Sequence, residues 1–168
     1  KDRELLGKVV YLLLELVAEV GADQAEWCKT TPDDEDGVLE EEEAMSQFAE
    51  QGLDRISMDL GGESLVPHFF TLIPQLLGSP DWKHKYAALR ALASVAEGCM
   101  DSLEDQLDSV LSLIWPCFSD PNPRVQHAAC HALGQLCTDF DGAIQERHAE
   151  RSLTALVGVL VGSTQSRV

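Results

Sequence analysis

Basic residues are scarce in this chain of 168 residues, which has 12 lysines and arginines against 29 aspartates and glutamates. The formal net charge is therefore −17. Nucleic acids and anionic membranes are also negative, so this balance disfavours both as direct partners and favours basic ones. The chain also lacks a Gly-rich phosphate loop, a nucleophile elbow and any paired catalytic motif. We therefore predict neither an enzyme nor a bound cofactor.

Uninterrupted apolar runs are missing as well. Residues 5–20 are rich in leucine and valine, but Lys8, Glu15 and Glu19 interrupt them, which fits a buried helix better than a membrane span. No signal peptide is recognisable. The five cysteines are an odd number without framework spacing, which predicts reduced thiols in a cytosolic or nuclear protein.

What the chain does contain is a repeat. The pattern of residues 80–89 returns at 121–130, where Pro121-Asn122-Pro123 matches Pro80-Asp81-Trp82 and Ala128-Ala129-Cys130 matches Ala87-Ala88-Leu89. A period of about 40 residues, with small residues at fixed helical positions, is typical of solenoids of paired helices. The predicted fold is therefore all-α, an α-α superhelix whose long surface is suited to binding.

Apolar periodicity and turn residues divide the chain into units. We interpret the chain as part of a longer array, whose end units should expose apolar faces that neighbours normally cover. The predicted units are the second helix of a preceding repeat at 1–21, an acidic loop at 22–43, three helix pairs at 44–78, 79–119 and 120–163, and the start of a following repeat at 164–168.

The predicted acidic loop carries eight acids within eleven residues. Such a run repels itself and buries little apolar surface, which predicts a mobile segment. It could attract a basic partner at long range or mimic that partner's competitor, or it could be only a solvated linker. The eight acids are Asp33, Asp34, Glu35, Asp36, Glu40, Glu41, Glu42 and Glu43.

Three further acids recur with the repeat. Asp54, Glu97 and Asp139 are each separated by one repeat, and each lies near or at the end of the first helix of a pair. One carboxylate per repeat in register would form a ladder, along which a lysine-rich extended peptide could pair charge by charge. We call these three residues the acidic ladder. The alternative is that they make ordinary hydrogen bonds at helix ends or between repeats.

A cluster of histidine and cysteine invites a metal interpretation. His127 and His131 are four residues apart and could chelate a metal together with Cys130 and Cys137. However, Cys130 stands where the preceding repeat has Leu89, a core position. We therefore predict no metal site.

Several segments resemble a known family. The opening Asp120-Pro121-Asn122-Pro123-Arg124-Val125 and the Ala-Ala pairs resemble HEAT repeats, although Gln126 stands where many such repeats have an arginine that ties adjacent repeats. More specific segments are similar to the central repeats of karyopherin-β (importin-β superfamily) nuclear import receptors, in the importin-β-3 or Ran-binding protein 5 branch. They are Gly52-Leu53-Asp54-Arg55, Leu60-Gly61-Gly62-Glu63, Ala96-Glu97-Gly98-Cys99, Leu133-Gly134-Gln135 and Thr138-Asp139-Phe140.

The resemblance implies a fragment of a nuclear transport receptor that shuttles through the pore between cytoplasm and nucleus. Basic nuclear-localisation signals of cargo, such as ribosomal proteins or histones, would bind an acidic concave surface with Asp54, Glu97 and Asp139 as contacts. FG-nucleoporins would bind the convex face, and Ran-GTP would act through the full-length protein. The alternative is a HEAT-repeat scaffold that assembles other proteins without a transport role.

Overall fold

The fold is described from a computed structural model, which defines residues 2–23, 27 and 41–163. This part of the chain contains helices and turns but no strand, so the predicted all-α solenoid is confirmed. Two 3-10 turns, Glu104–Gln106 and Trp115–Ser119, flank one of the helices. The α-helices are α1 Asp2–Val17, α2 Glu41–Leu60, α3 Gly62–Leu77, α4 Trp82–Val95, α5 Met100–Leu103, α6 Leu107–Ile114, α7 Pro123–Asp139 and α8 Ala143–Gly162.

Local sequence explains where these helices begin. The side chains of Asp81 and Asn122 each accept a hydrogen bond from the backbone N–H two residues on, at 3.0 and 2.9 Å, and so cap α4 and α7 at equivalent places in the repeat. Gly61 and Gly142 precede α3 and α8 with φ of +71° and +84°. Glycine adopts this left-handed conformation without steric cost, which permits the sharp reversals.

The helices stack in two layers. Helices α2, α4 and α7 lie side by side in one layer, and α1, α3, α5–α6 and α8 form the other. The alanines of α4 and α7 that repeat in the sequence are fully buried, which lets these two helices approach closely: Ala87, Ala88, Ala91, Ala128, Ala129 and Ala132. Helices α2 and α7 each pack against the second-layer elements that precede and follow them in the chain. These contacts do not decide which neighbour belongs to the same repeat, so the repeat boundaries at 44, 79 and 120 stay a prediction.

The start of α2 corrects one boundary. This helix begins at Glu41, three residues before the predicted first pair, so Glu41, Glu42 and Glu43 are helical and do not belong to a loop. Glutamate is favoured in a first helical turn, because its charge complements the positive end of the helix dipole. The other acids of the predicted loop, Asp33–Asp36 and Glu40, lie outside the described residues.

A buried arginine contacts residues at the start of the predicted acidic loop. Arg124 is 4% exposed, and its Cζ lies 5.3 Å from the ring centroid of Trp27 and 5.3 Å from that of Trp82. Nη1 donates to the carbonyl of Gly21 at 2.6 Å, and Nη2 donates to that of Asp23 at 2.9 Å. We call these five residues the Arg124 cluster. Since Trp27 is only 7% exposed, the prediction that 22–43 is a mobile loop that buries little apolar surface is wrong at this residue.

A second polar cluster ties adjacent repeats together. Lys85 on α4 forms an ion pair with the buried Asp120, with 2.7 Å between Nζ and Oδ2. The other carboxylate oxygen accepts a hydrogen bond from the backbone of Asn122, and the backbone carbonyl of Asp120 accepts one from Gln126 at 2.8 Å. Gln126 therefore holds the turn, while Lys85 supplies the inter-repeat cation that an arginine at position 126 would have given.

Exposed apolar side chains concentrate at the two ends of the stack, which confirms that prediction. At one end they lie on α1 and α2, and at the other they lie on α8. On α1 and α2 they are Leu5, Tyr11, Leu12, Met45, Phe48, Met58 and Leu60, and on α8 they are Leu153, Leu156, Val157, Leu160 and Val161. No helix in the described part of the chain is both long and apolar enough to span a membrane.

A close approach at Gly98 gives a test of the packing. A Cβ placed there would overlap Oγ of Ser57 and lie 2.5 Å from the backbone carbon of that residue, and this backbone cannot move aside. We expect Gly98→Ala to lower the free energy of unfolding by about 2–3 kcal/mol. Gly134→Ala on α7, where a Cβ meets no heavy atom within 4 Å, should instead raise it by up to about 1 kcal/mol. Urea unfolding measures both, and equal effects would contradict this packing.

Candidate functional site

A surface groove of about 280 Å³ crosses the layer formed by α2, α4 and α7. Each of the three helices contributes side chains, because the layer places equivalent helical positions next to one another. We call it the acidic groove. It is lined by Glu50, Gln51 and Asp54 from α2, by Ala93, Ser94 and Glu97 from α4 and the turn after it, and by His131 and Gln135 from α7.

The acidic ladder follows this groove. Asp54 and Glu97 line it and are exposed. Asp139, the last residue of α7, is half-buried, and its carboxylate accepts hydrogen bonds from Nε2 of Gln135 at 2.9 and 3.1 Å. The structure therefore brings two ladder residues into the groove and links the third to it through the amide of Gln135.

Sequence reasoning missed an ion pair in the groove. Arg90 on α4 donates from Nε to one carboxylate oxygen of Glu50 at 2.9 Å and from Nη2 to the other at 2.5 Å. Burial by itself would lower the pKa of Arg90, but the hydrogen bond and negative charge of Glu50 outweigh it, and the pKa is raised. Such bidentate pairs have a fixed geometry. Arg90 is thus committed to Glu50, and no ion pair within the described part of the chain neutralises Asp54 or Glu97.

His131 is a second residue whose place in the groove was not predicted. Its pKa lies below the ordinary value, because partial burial disfavours the charged ring and the positive charge of Arg90 adds to this effect, while Glu50 opposes it. Although the residue is exposed as a whole, its imidazole faces these groups in the groove. At neutral pH the ring is therefore uncharged and can accept a hydrogen bond.

The neighbours of His131 on α7 do not extend it into a metal centre. Cys130 and Cys137 pack against the hydrophobic core, and burial raises the pKa of both thiols. His127 contacts the ring of Trp27 edge-on, with the two centroids 5.6 Å apart. Across the residues that the structure describes, no three histidine, cysteine or acidic side chains are arranged to hold a metal ion.

The interface between the two layers carries a different feature. A narrow apolar crevice lies between α3, α4 and α6, and every residue that lines it is apolar. Its floor includes Cys99, whose thiol pKa is raised to about 11 by burial. The remaining lining residues are Val66, Phe69, Phe70, Ile73, Leu92, Val95, Leu103, Val110 and Leu113.

Stacked helix pairs and a groove built from equivalent helical positions define a solenoid of the HEAT class. A family model for the HEAT-like repeat matches residues 82–136, and a model for the Importin repeat matches residues 1–67. Importin subunit beta-3 of Saccharomyces cerevisiae is 39% identical over 163 residues, which are 95% of this chain and 14% of that protein. The chain belongs to the importin-β superfamily of HEAT-repeat proteins.

Solved structures of Kap121p are similar to the chain in fold and in sequence. Kap121p bound to RanGTP has a TM-score of 0.89 at 38% identity, and the match covers 96% of this chain and 16% of Kap121p. The chain thus spans a small part of the length of its relatives.

Two matched structures are variants of Kap121p. In one, with a TM-score of 0.89 at 36% identity, an aspartate, a glutamate and an aspartate, each separated by one repeat, are all changed to lysine. In the other, with a TM-score of 0.88 at 35% identity, the same three acids are changed to alanine together with further residues. These include an arginine and a glutamine, four and three residues before the first acid, which are changed to alanine, and an asparagine eight residues before the last, which is changed to lysine.

Proposed function

We propose that the chain is part of a nuclear transport receptor and that its acidic groove binds lysine-rich nuclear-localisation signals of basic cargo. Asp54 and Glu97 are exposed in the groove, and Asp139 adjoins it. The repeat spaces these carboxylates along the layer, which suits an extended peptide with lysines at several positions. A charged hydrogen bond contributes about 1.5–3 kcal/mol, so a few such contacts give useful affinity.

The observation that carries this proposal is a shared spacing. Asp54, Glu97 and Asp139 are of the same residue types, in the same order and at the same intervals as the three acids replaced in the Kap121p variants. Three of the four further replaced positions, counted by the same intervals, correspond to Glu50, Gln51 and His131. All three line the acidic groove. Six of the residues that were altered together in Kap121p thus correspond to residues in or beside one groove of this chain.

The wider partners follow by extension from Kap121p, which has been solved bound to RanGTP, to Pho4p and to Nup53p. We propose that the full-length parent protein carries basic cargo, for example ribosomal proteins or histones, and releases it to Ran-GTP while shuttling between cytoplasm and nucleus. We propose that FG-nucleoporins contact the full-length parent on the layer opposite the acidic groove.

Neutralising the acidic ladder tests the cargo site. We expect simultaneous replacement of Asp54, Glu97 and Asp139 by alanine to weaken a lysine-rich peptide by more than about tenfold, because the charged contacts are lost. Isothermal titration measures the affinity, and circular dichroism checks that helix content is kept. The matched control replaces Glu63, Asp101 and Asp105, which are exposed acids of the other layer, and changes net charge equally.

The same titration separates the transport receptor from the alternative, a scaffold without a transport role. If the ladder variant keeps the affinity of the unmodified chain, the three acids are structural and the scaffold interpretation is preferred. If the control acids matter as much as the ladder, binding depends on overall charge and the groove is not the site. Release of the peptide from the full-length parent by Ran-GTP is expected only of a transport receptor.

A further inference from the structure

His131 distinguishes this groove from that of its relative. The interval of eight residues before the last ladder acid leads to an asparagine in Kap121p and to His131 in this chain. Asparagine is never ionised, whereas histidine gains a proton near physiological pH. We propose that His131 is a specificity-determining residue of the acidic groove. Its neutral imidazole accepts a hydrogen bond from a bound cationic peptide, and its protonated form repels that peptide.

The charges around His131 come from three helices. Glu50 and Asp54 face it from α2, Arg90 faces it from α4, and Glu97 faces it from the turn after α4. On its own helix α7, Arg124 belongs to the Arg124 cluster, His127 contacts the ring of Trp27, and Asp139 accepts hydrogen bonds from Gln135. The phenol of Tyr86 on α4 interacts with Arg90. Helix α8 contributes no residue to the lining of this groove.

The pairing within this set decides what His131 can do. Because Glu50 and Arg90 form a bidentate pair, their charges largely cancel, and Asp54 and Glu97 are left to attract a cation. The imidazole shares the groove with this pair, whose charges act on it, and with the two acids. As a neutral acceptor it adds a hydrogen bond to an entering ammonium group. As an imidazolium it cancels one of the two negative charges that attract this group.

The direction of the pH effect follows. Partial burial and the positive charge of Arg90 place the pKa of His131 below its ordinary value of 6.5. The ring is therefore neutral at pH 7.5, and it takes up a proton as the pH falls to its pKa and below. Affinity for a lysine-rich peptide should therefore fall on acidification. By linkage, a bound peptide must lower the pKa of His131 further, because the two positive charges oppose each other. This inference rests on the proposed function of the groove.

The experiment is a titration at two pH values and constant ionic strength. The probe is a lysine-rich peptide without histidine and with blocked ends, whose charge is constant between pH 7.5 and pH 5.5. We expect the chain to bind it more weakly at pH 5.5, by up to about fivefold once His131 is fully protonated, whereas His131→Asn should bind nearly equally at both. His131→Lys, a permanent cation, should bind weakly at both. Because residue 131 is exposed on α7, each variant should fold.

A second readout is direct. The pKa of His131, followed by NMR of its ring, should fall when the peptide is added. The ring signals of His84, whose ring nitrogen lies 3.0 Å from Ser79 Oγ at the start of α4, should not shift on addition of the peptide. If the chain and His131→Asn lose affinity equally on acidification, or if the peptide leaves the pKa of His131 unchanged, the inference about His131 is overturned and the groove remains the cargo site. Absence of peptide binding at pH 7.5 would overturn both proposals.

Discussion

Replacing Arg124 by alanine is expected to lower the free energy of unfolding by about 3 kcal/mol. The buried guanidinium makes two hydrogen bonds to the carbonyls of Gly21 and Asp23, and it lies between the rings of Trp27 and Trp82. A charged hydrogen bond contributes about 1.5–3 kcal/mol, and a desolvated cation–π contact about 2 kcal/mol. The loss stays below this sum because both carbonyls lie near the surface, where water can replace the arginine. Urea unfolding followed by circular dichroism measures the change.

A double-mutant cycle separates the cluster from a general loss of packing. Trp27→Ala should also destabilise the chain, and the double variant should be more stable than the two single effects predict, by at least about 1 kcal/mol. Arg147→Ala is the matched control, since Arg147 is half-exposed and lies 3.8 Å from the exposed Asp108. Its effect should stay within about 0.5 kcal/mol. Strictly additive effects of the Arg124 and Trp27 replacements would contradict a direct contact between the guanidinium and the ring.

The repeat architecture could be predicted because it is encoded locally. Small residues return once per repeat along α4 and α7, and capping residues return with them at Asp81 and Asn122. Each of these signals acts within about one helical turn, so a single sequence shows them without an alignment. The same property explains the correct expectation that apolar side chains are exposed at the ends of the stack.

The Arg124 cluster could not be predicted because its partners are distant in sequence. Gly21 and Asp23 lie 103 and 101 residues before Arg124. Trp27 precedes a run of acids whose mutual repulsion dominates any estimate of local structure. Helical periodicity does not predict that the ring of Trp27 contacts the guanidinium of Arg124 two repeats away. Composition therefore predicted a loop that includes Asp23 and Trp27, although both contact Arg124.

The acidic groove could be predicted from the sequence only in part. The ladder could be found because its intervals equal the repeat. Glu50, Arg90 and His131 are likewise separated by one repeat each, so a second ladder runs beside the first in the same groove. This second ladder contains an acid, an arginine and a histidine, so a search for recurring acids does not find it. Pairing between Glu50 and Arg90 depends on side-chain geometry, which spacing alone does not give.

Reversing the ladder charges should have the largest effect on binding. Changing Asp54, Glu97 and Asp139 together to lysine is expected to weaken a lysine-rich peptide by more than about a hundredfold, because three attractions become three repulsions in a partly shielded groove. Asp54 and Glu97 are exposed, and Asp139 accepts hydrogen bonds only from Gln135 among the residues that the structure describes. The variant should therefore keep its helical circular dichroism signal.

A charge swap makes this prediction specific to the groove. A peptide in which every lysine is replaced by glutamate should bind the reversed ladder more tightly than it binds the unmodified chain. Reversing the control acids Glu63, Asp101 and Asp105 changes the net charge equally, but it should act mainly on the association rate and only at low salt. If the reversed ladder still binds the lysine-rich peptide, or if the acidic peptide shows no preference for it, the carboxylates do not contact the ligand. The acidic groove would then be a consequence of helix stacking, and the cargo site would have to lie elsewhere on the solenoid.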